Sequence, residues 1–161
     1  MVGIGRADRD LVKEKLIAHA LTGHPVAEIE AIGRDFAQEL IDTRLLPETV
    51  TRLEWHRSQK HRLVLVSATL DVYLQPLVTL LGFDDLLCTQ LEIVDGRASG
   101  KLSGVNVRAA EKARQLRELI GDEEVDLWAY GNSSGDHAML QMADHPFWID
   151  RKGNVSRWQK T

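Results

Sequence analysis

The sequence predicts an α/β fold with a parallel sheet and a small helical layer at the N-terminal side. Three observations carry that expectation. Apolar residues recur at helical spacing through residues 7–58. From Arg62 onward, short apolar or β-branched runs alternate with helical segments, the pattern of strand–helix–strand units. Polar turns follow two of those runs directly, at Ser67-Ala68-Thr69 and at Gly131–Asp136.

The elements follow in order. Leu11, Leu16, Ile17 and Leu21 mark a first helix, and Ile29, Ile32, Phe36, Leu40 and Ile41 a second. Gly23-His24-Pro25 separates them, and Pro47-Glu48 opens a third. Arg62–Val66 reads as a strand covered on both faces, followed by a helix from Val72 to Leu81 that stops at Gly82. Asp85–Thr89 is a second strand. Leu91–Val94 and Ala98–Leu102 form a hairpin, because Asp95-Gly96 supplies the positive φ of a tight turn. Asn106 is expected to cap a helix reaching Ile120, stopped by Gly121, with Ala109, Ala113, Leu116 and Ile120 as its buried stripe. Val125–Tyr130 is a further buried strand, then the polar turn, a helix through Ala143, and a last strand at Pro146–Ile149.

Bulk composition narrows the function. At 161 residues the chain suits one domain, and 43% hydrophobic with 27% charged residues is ordinary for a globular protein. A net charge of −4 gives no basis for nucleic-acid or membrane-surface binding. No apolar run approaches the ~20 residues of a membrane span. No leader pattern opens the sequence, so a cytoplasmic location is expected and the sequons at Asn132 and Asn154 are discounted. Cys88 is the single cysteine, which excludes a disulfide framework and a thiolate metal cluster. A nucleotide-binding Rossmann reading lacks both G-x-G-x-x-G and a P-loop lysine motif.

In open parallel sheets, ligands bind beyond the carboxyl ends of the strands, where both polar turns fall. A serine hydroxyl and helix N-terminal N–H groups suit a phosphate oxygen, and a carboxylate with an amide oxygen suits a hard cation. Lys112 lies on the edge of its helix's buried stripe, and its side chain leans toward the helix N-terminus and the same sheet edge. Taken singly, Ser67 is a helix cap, Asp136 a dipole partner and Lys112 a solvated lysine. Their order decides otherwise.

Serine after an apolar strand, then a helical lysine, then G(D/N)SxxD after another strand resembles motifs two to four of the haloacid-dehalogenase superfamily. The subgroup it looks like contains phosphoserine phosphatase-like and phosphatidylglycerophosphatase-like hydrolases. "WHRSQKHRLVLVSATLDVYLQPL", "LGFDDLLCTQLEIVDGRASGKLSGVNVRAAEKARQL" and "AYGNSSGDHAML" carry the likeness, which covers roughly residues 6–150. The resemblance implies a Rossmann-like core at residues 59–161 and a helical cap at residues 1–58 that chooses substrate. It also implies a small phosphorylated substrate and Mg²⁺. Ser67 would hold a phosphoryl oxygen, Thr69 would help bind substrate, and Lys112 would neutralise the nucleophile and the transferring group. Asn132 stands where the family has a magnesium-binding aspartate, and Asp136 would order the metal and its waters. An amide oxygen brings no charge, so metal affinity is expected to fall.

The family's first motif, DxDx(T/V), is missing. Asp8 and Asp10 have DxD spacing but precede a helix rather than follow an apolar strand. In the family the strand carrying that motif lies centrally, between those carrying motifs two and four. Without it, the flanking strands close up, Val2–Ile4 fills the gap, or the polypeptide is shorter than the natural folding unit; the last is expected. The chain is then a Mg²⁺-dependent phosphomonoester hydrolase that is truncated and inactive alone. The alternative is a non-catalytic relative that binds a phosphorylated ligand or a protein partner. Neither the particular monoester nor the oligomeric state is written in the sequence.

Overall fold

A computed structural model describes residues 6–160, with side chains from Asp10 onward. Three helices come first: α1 (Arg6–Leu21), α2 (Val26–Arg44) and α3 (Pro47–Ser58). The breaks fall where the sequence places them. Gly23 takes φ +80, and the Gly23–Val26 turn is stitched to the hairpin beyond it. Gly23 N–H donates to Ala98 O at 2.8 Å, Ala98 N–H to His24 O at 2.9 Å, and Val26 N–H to Gly96 O at 2.9 Å. The apolar stripes are used only in part. Ile17 and Ile29 are buried against Leu91 and Ala98, whereas Leu16 and Ile32 remain 62% and 70% exposed.

β1 (Val64–Leu70) pairs in parallel with β2 (Asp85–Thr89), with α4 (Asp71–Leu81) between them in sequence. The strand outruns the expected end at Val66. Its ladder slips after Ser67↔Cys88 and resumes at Leu70↔Thr89, so Ser67-Ala68-Thr69 lies in a bulged stretch of strand rather than a turn. Gly82 closes α4 in the left-handed conformation at φ +64. α2 packs on α4 through Gly33, where a Cβ would lie 2.3 Å from the Val72 carbonyl oxygen. β3 (Leu91–Val94) and β4 (Arg97–Leu102) form the expected hairpin, with Asp95 at φ +49 and Gly96 at φ +74.

α5 (Ala110–Ile120) starts later than the sequence suggests. Ala109 takes φ +53 and interrupts the helical path, and the Asn106 side chain is engaged with α1 instead of capping. β5 is Trp128–Gly131, shorter than the expected strand because pairing with β6 (His145–Ile149) begins at Trp128↔His145 and Val125 stays exposed. A 3-10 turn (Ser134–Asp136) and α6 (His137–Met142) separate those strands. β7 (Val155–Arg157) adds antiparallel to β6 and was not anticipated.

The parallel architecture is therefore present as two separate parallel pairs. β1 is hydrogen-bonded only along β2 and β5 only along β6, among the described residues. A core of Leu116, Ala129, Met139 and Leu140, with Val64 and Val66 packed on it, joins the two pairs beneath. Between β1 and β5 runs a slot of about 790 Å³. Val2–Ile4, read as one possible filling of such a gap, lie outside the described residues, as does the Asp8 side chain.

Candidate active site

Lys112 sits in the first turn of α5, whose buried Ala113 and Leu116 anchor the helix to the core. From the edge of that stripe its Nζ donates to Asp136 Oδ1 at 2.6 Å. The pair is shielded, the two side chains being 12% and 6% exposed. Asp136 Oδ2 accepts from Ser133 N–H at 2.9 Å, Asn132 N–H at 3.1 Å and the Ser133 hydroxyl at 2.8 Å. The turn is thus a capping box as well as a charge site. Gly131 permits the close approach, since a Cβ there would lie 2.6 Å from Asp136 Cβ. Burial favours the neutral acid, but the hydrogen bonds from Lys112 and Ser133 and the lysine charge outweigh it. They hold the Asp136 carboxyl below its ordinary value.

Across the slot, the Ser67 hydroxyl accepts from Thr69 N–H at 3.1 Å inside the β1 bulge. The structure thus joins Lys112 to Asp136 and the backbone of Asn132, and separately joins Ser67 to Thr69. These halves belong to different strand pairs and make no direct hydrogen bond to each other.

A second polar cluster beside Ser67 was not read from the sequence. Lys13 of α1 donates to Ala68 O and Asn106 Oδ1, both at 2.5 Å, and lies 3.2 Å from Thr89 Oγ1. Thr89 is fully buried and accepts from Val107 N–H at 3.1 Å. Burial lowers the Lys13 ammonium from its usual value, opposed by the charge of Asp10. Helical spacing places Lys13 on a polar face, so no signal marked it. Thr89, a polar residue ending an apolar strand, was the available clue. Asp10 accepts from Asn106 Nδ2 at 2.7 Å and lies 3.6 Å from Arg108, a structural engagement on a helix rather than the end of a strand.

The residues described do not complete a site for Mg²⁺. Asn132 lies exposed at the rim, and both Asp136 oxygens are already taken by Lys112, Ser133 and the Asn132 amide. No group of three or more His, Cys, Asp or Glu converges elsewhere among the described residues. Mg²⁺ keeps several waters and is held by one or two carboxylates, and the one carboxylate here already accepts hydrogen bonds on both oxygens.

Strand–helix units with a shielded lysine–aspartate pair at the carboxyl edge of the strands define an α/β protein. The chain belongs to the haloacid dehalogenase-like hydrolase family, whose model matches residues 3–141. It is 37% identical over 138 residues to the protein CicA of Caulobacter vibrioides, covering 85% of this chain and 62% of CicA. It is 29% identical over 125 residues to the phosphoserine phosphatase SerB1 of Mycobacterium tuberculosis, covering 76% of this chain and 41% of that one. The crystal structure of a protein of unknown function from Bordetella pertussis superposes with a TM-score of 0.74 at 22% identity, over 85% of this chain and 64% of the other. The chain thus spans less than two thirds of the length of these relatives. Among the described residues, no helix is long and apolar enough to cross a membrane.

Proposed function

We propose that this chain carries the phosphate-handling part of a Mg²⁺-dependent phosphomonoester hydrolase. The observation that carries the reading is the shielded Lys112–Asp136 pair at the carboxyl edge, in a chain of this family. Lys112 Nζ and the Ser67 hydroxyl, with Thr69 beside it, hold the phosphoryl oxygens. Asp136 keeps the lysine aimed, its own carboxylate being held ionised by four donors. The nucleophile is an aspartate delivered on a further strand. The same segment must supply Mg²⁺ ligands beyond Asn132 and Asp136. Residues 1–58 act as the cap and residues 59–161 as the core, and the protein works in the cytoplasm on a small phosphorylated substrate. SerB1 is named a phosphoserine phosphatase, so phosphoserine is the first monoester to try.

The chain alone is expected to be inactive toward p-nitrophenyl phosphate and phosphoserine with Mg²⁺ present. Inorganic phosphate is expected to bind in calorimetry, and Ser67→Ala to weaken that binding about tenfold, one lost hydrogen bond to a charged group being worth ~1.5 kcal/mol. Turnover that survives Asp8→Ala with Asp10→Ala refutes the nucleophile assignment. Absence of phosphate binding refutes the site. The alternative, phosphate binding without catalysis in the cell, is favoured by the two Asp136 oxygens being fully engaged. The intact mass of the native protein decides between them: a value several kilodaltons above 18.1 kDa supports the hydrolase, and a matching value the binder.

A further inference from the structure

Ser67 lies where β1 leaves its ladder. Pairing runs to Ser67↔Cys88 and resumes at Leu70↔Thr89, so Ala68 and Thr69 have no counterpart on β2. In that bulge the Ser67 hydroxyl accepts from Thr69 N–H at 3.1 Å, a local turn bond to the backbone two residues on. Accepting there leaves the hydroxyl proton available for donation to an anion. A regular ladder would break this bond, and a register slip of one residue would turn the serine to the other face of the sheet. The bulge therefore sets where Ser67 points.

The Ala68 carbonyl in that bulge is claimed from outside the sheet. Lys13 of α1 donates to it at 2.5 Å, and the same Nζ donates to Asn106 Oδ1 at 2.5 Å and to Thr89 Oγ1 at 3.2 Å. The three N–H groups of the ammonium thus face three neutral oxygens, and none is left over for a ligand. The carboxylate of Asp10 reaches the cluster through Asn106 Nδ2, at 2.7 Å. Thr89 cannot take over from the lysine. Its buried hydroxyl has one proton, and the Ala68 and Asn106 oxygens both lie 3.0 Å away. Without Lys13 one of those oxygens lacks a donor, and the Ala68 carbonyl is released toward β2 or toward water.

We propose that Lys13 is a positioning residue of the phosphate site: from α1 it holds the bulge after Ser67 open, and so fixes the Ser67 hydroxyl, without touching the ligand. Asn106, its other acceptor, lies in the lead-in to α5, so the same ammonium relates the strand of Ser67 to the helix that carries Lys112. A displacement of α1 is then felt at the serine. The inference deepens the phosphate-handling reading and rests on it for the ligand, whereas the claim about the bulge stands on geometry alone.

The test uses the full chain carrying Lys13→Cys, before and after alkylation with 2-bromoethylamine, which restores an ammonium at nearly the lysine length. Cys88, buried and with its thiol pushed up to about 12, does not compete for the reagent. Amide exchange at Thr69 is expected to be at least ~10-fold faster in Lys13→Cys, with Phe147 on β6 unchanged, and to return toward wild type on alkylation. Inorganic phosphate is expected to bind about tenfold more weakly to Lys13→Met than to the wild type. In a Ser67→Ala background the same change should cost less than about threefold, because Lys13 acts through the serine. Unchanged Thr69 exchange overturns the proposal, as does exchange that alkylation fails to restore. An equal loss of phosphate affinity in both backgrounds also overturns it, since Lys13 would then act on the anion by its charge. Should the Lys13 variants not fold, Thr89→Val removes the other donor to Ala68, and faster Thr69 exchange is expected there too; unchanged exchange overturns the proposal. Phosphate binding with Thr69 exchange indifferent to Lys13 removes this inference and leaves the hydrolase reading. Exchange that depends on Lys13 in a wild type that binds no phosphate does the reverse.

Discussion

Replacing Lys112 by methionine keeps much of the side chain's bulk and removes its charge, leaving Asp136 shielded without its lysine. The pair is 12% and 6% exposed at 2.6 Å, so solvent takes over little of the lost interaction. Breaking a buried pair from one side costs about 3–5 kcal/mol. Asp136 Oδ2 keeps its three donors from Ser133 and Asn132, which places the expected loss near the lower end, at ~3 kcal/mol. Against a domain stability of ~5–15 kcal/mol this is a large fraction. With a urea m-value of ~2 kcal/mol/M it lowers the unfolding midpoint by ~1.5 M. The pH dependence has a definite sign. In the wild type the Asp136 carboxyl sits below its ordinary value, so its stabilisation is present above pH ~4 and lost as pH falls through the folded value. In Lys112→Met the unpaired buried carboxyl rises above that value and takes up a proton, so the deficit shrinks between pH 7 and pH 4. The double variant with Asp136→Asn should cost less than the sum of the singles by at least ~1 kcal/mol. A deficit under ~1 kcal/mol at pH 7, or one independent of pH, refutes the description of this pair as a shielded ion pair.

Three further outcomes follow from the packing. Gly33→Ala drives a methyl group into the Val72 carbonyl and should cost ~1–3 kcal/mol in urea unfolding; an unchanged midpoint means α2 does not sit against α4. Leu140→Ala empties a fully buried position beneath both strand pairs and should cost ~2–5 kcal/mol, whereas Leu16→Ala, at a site 62% exposed, should stay within ~0.5 kcal/mol. Burial on β2 pushes the Cys88 thiol up to about 12, so a thiol reagent at pH 8 should label the native protein far more slowly than the urea-unfolded one. Rapid native labelling would show that β2 opens.

The sequence alone determined what local chemistry controls. Asp95-Gly96 made the hairpin, Gly82 ended α4, and Gly23-His24-Pro25 divided the first two helices, because glycine admits the positive φ these turns need and proline lacks the N–H a continuing helix needs. The edge position of Lys112 was also readable, since it follows from helical period and side-chain lean. Long-range pairing decided the rest. Ser67 lies inside a strand because the ladder resumes at Leu70↔Thr89, a register that no local signal around Ser67 encodes. Asn106 looked like a cap, but Lys13 and Asp10, distant in sequence, claim its side chain. Asp136 could be read as a metal-ordering acid, yet only the folded chain shows each of its oxygens already engaged. The facing edges of β1 and β5 were likewise settled in three dimensions. Apolar runs report that a strand will be buried, while its neighbour is set by which distant main-chain groups remain to be satisfied.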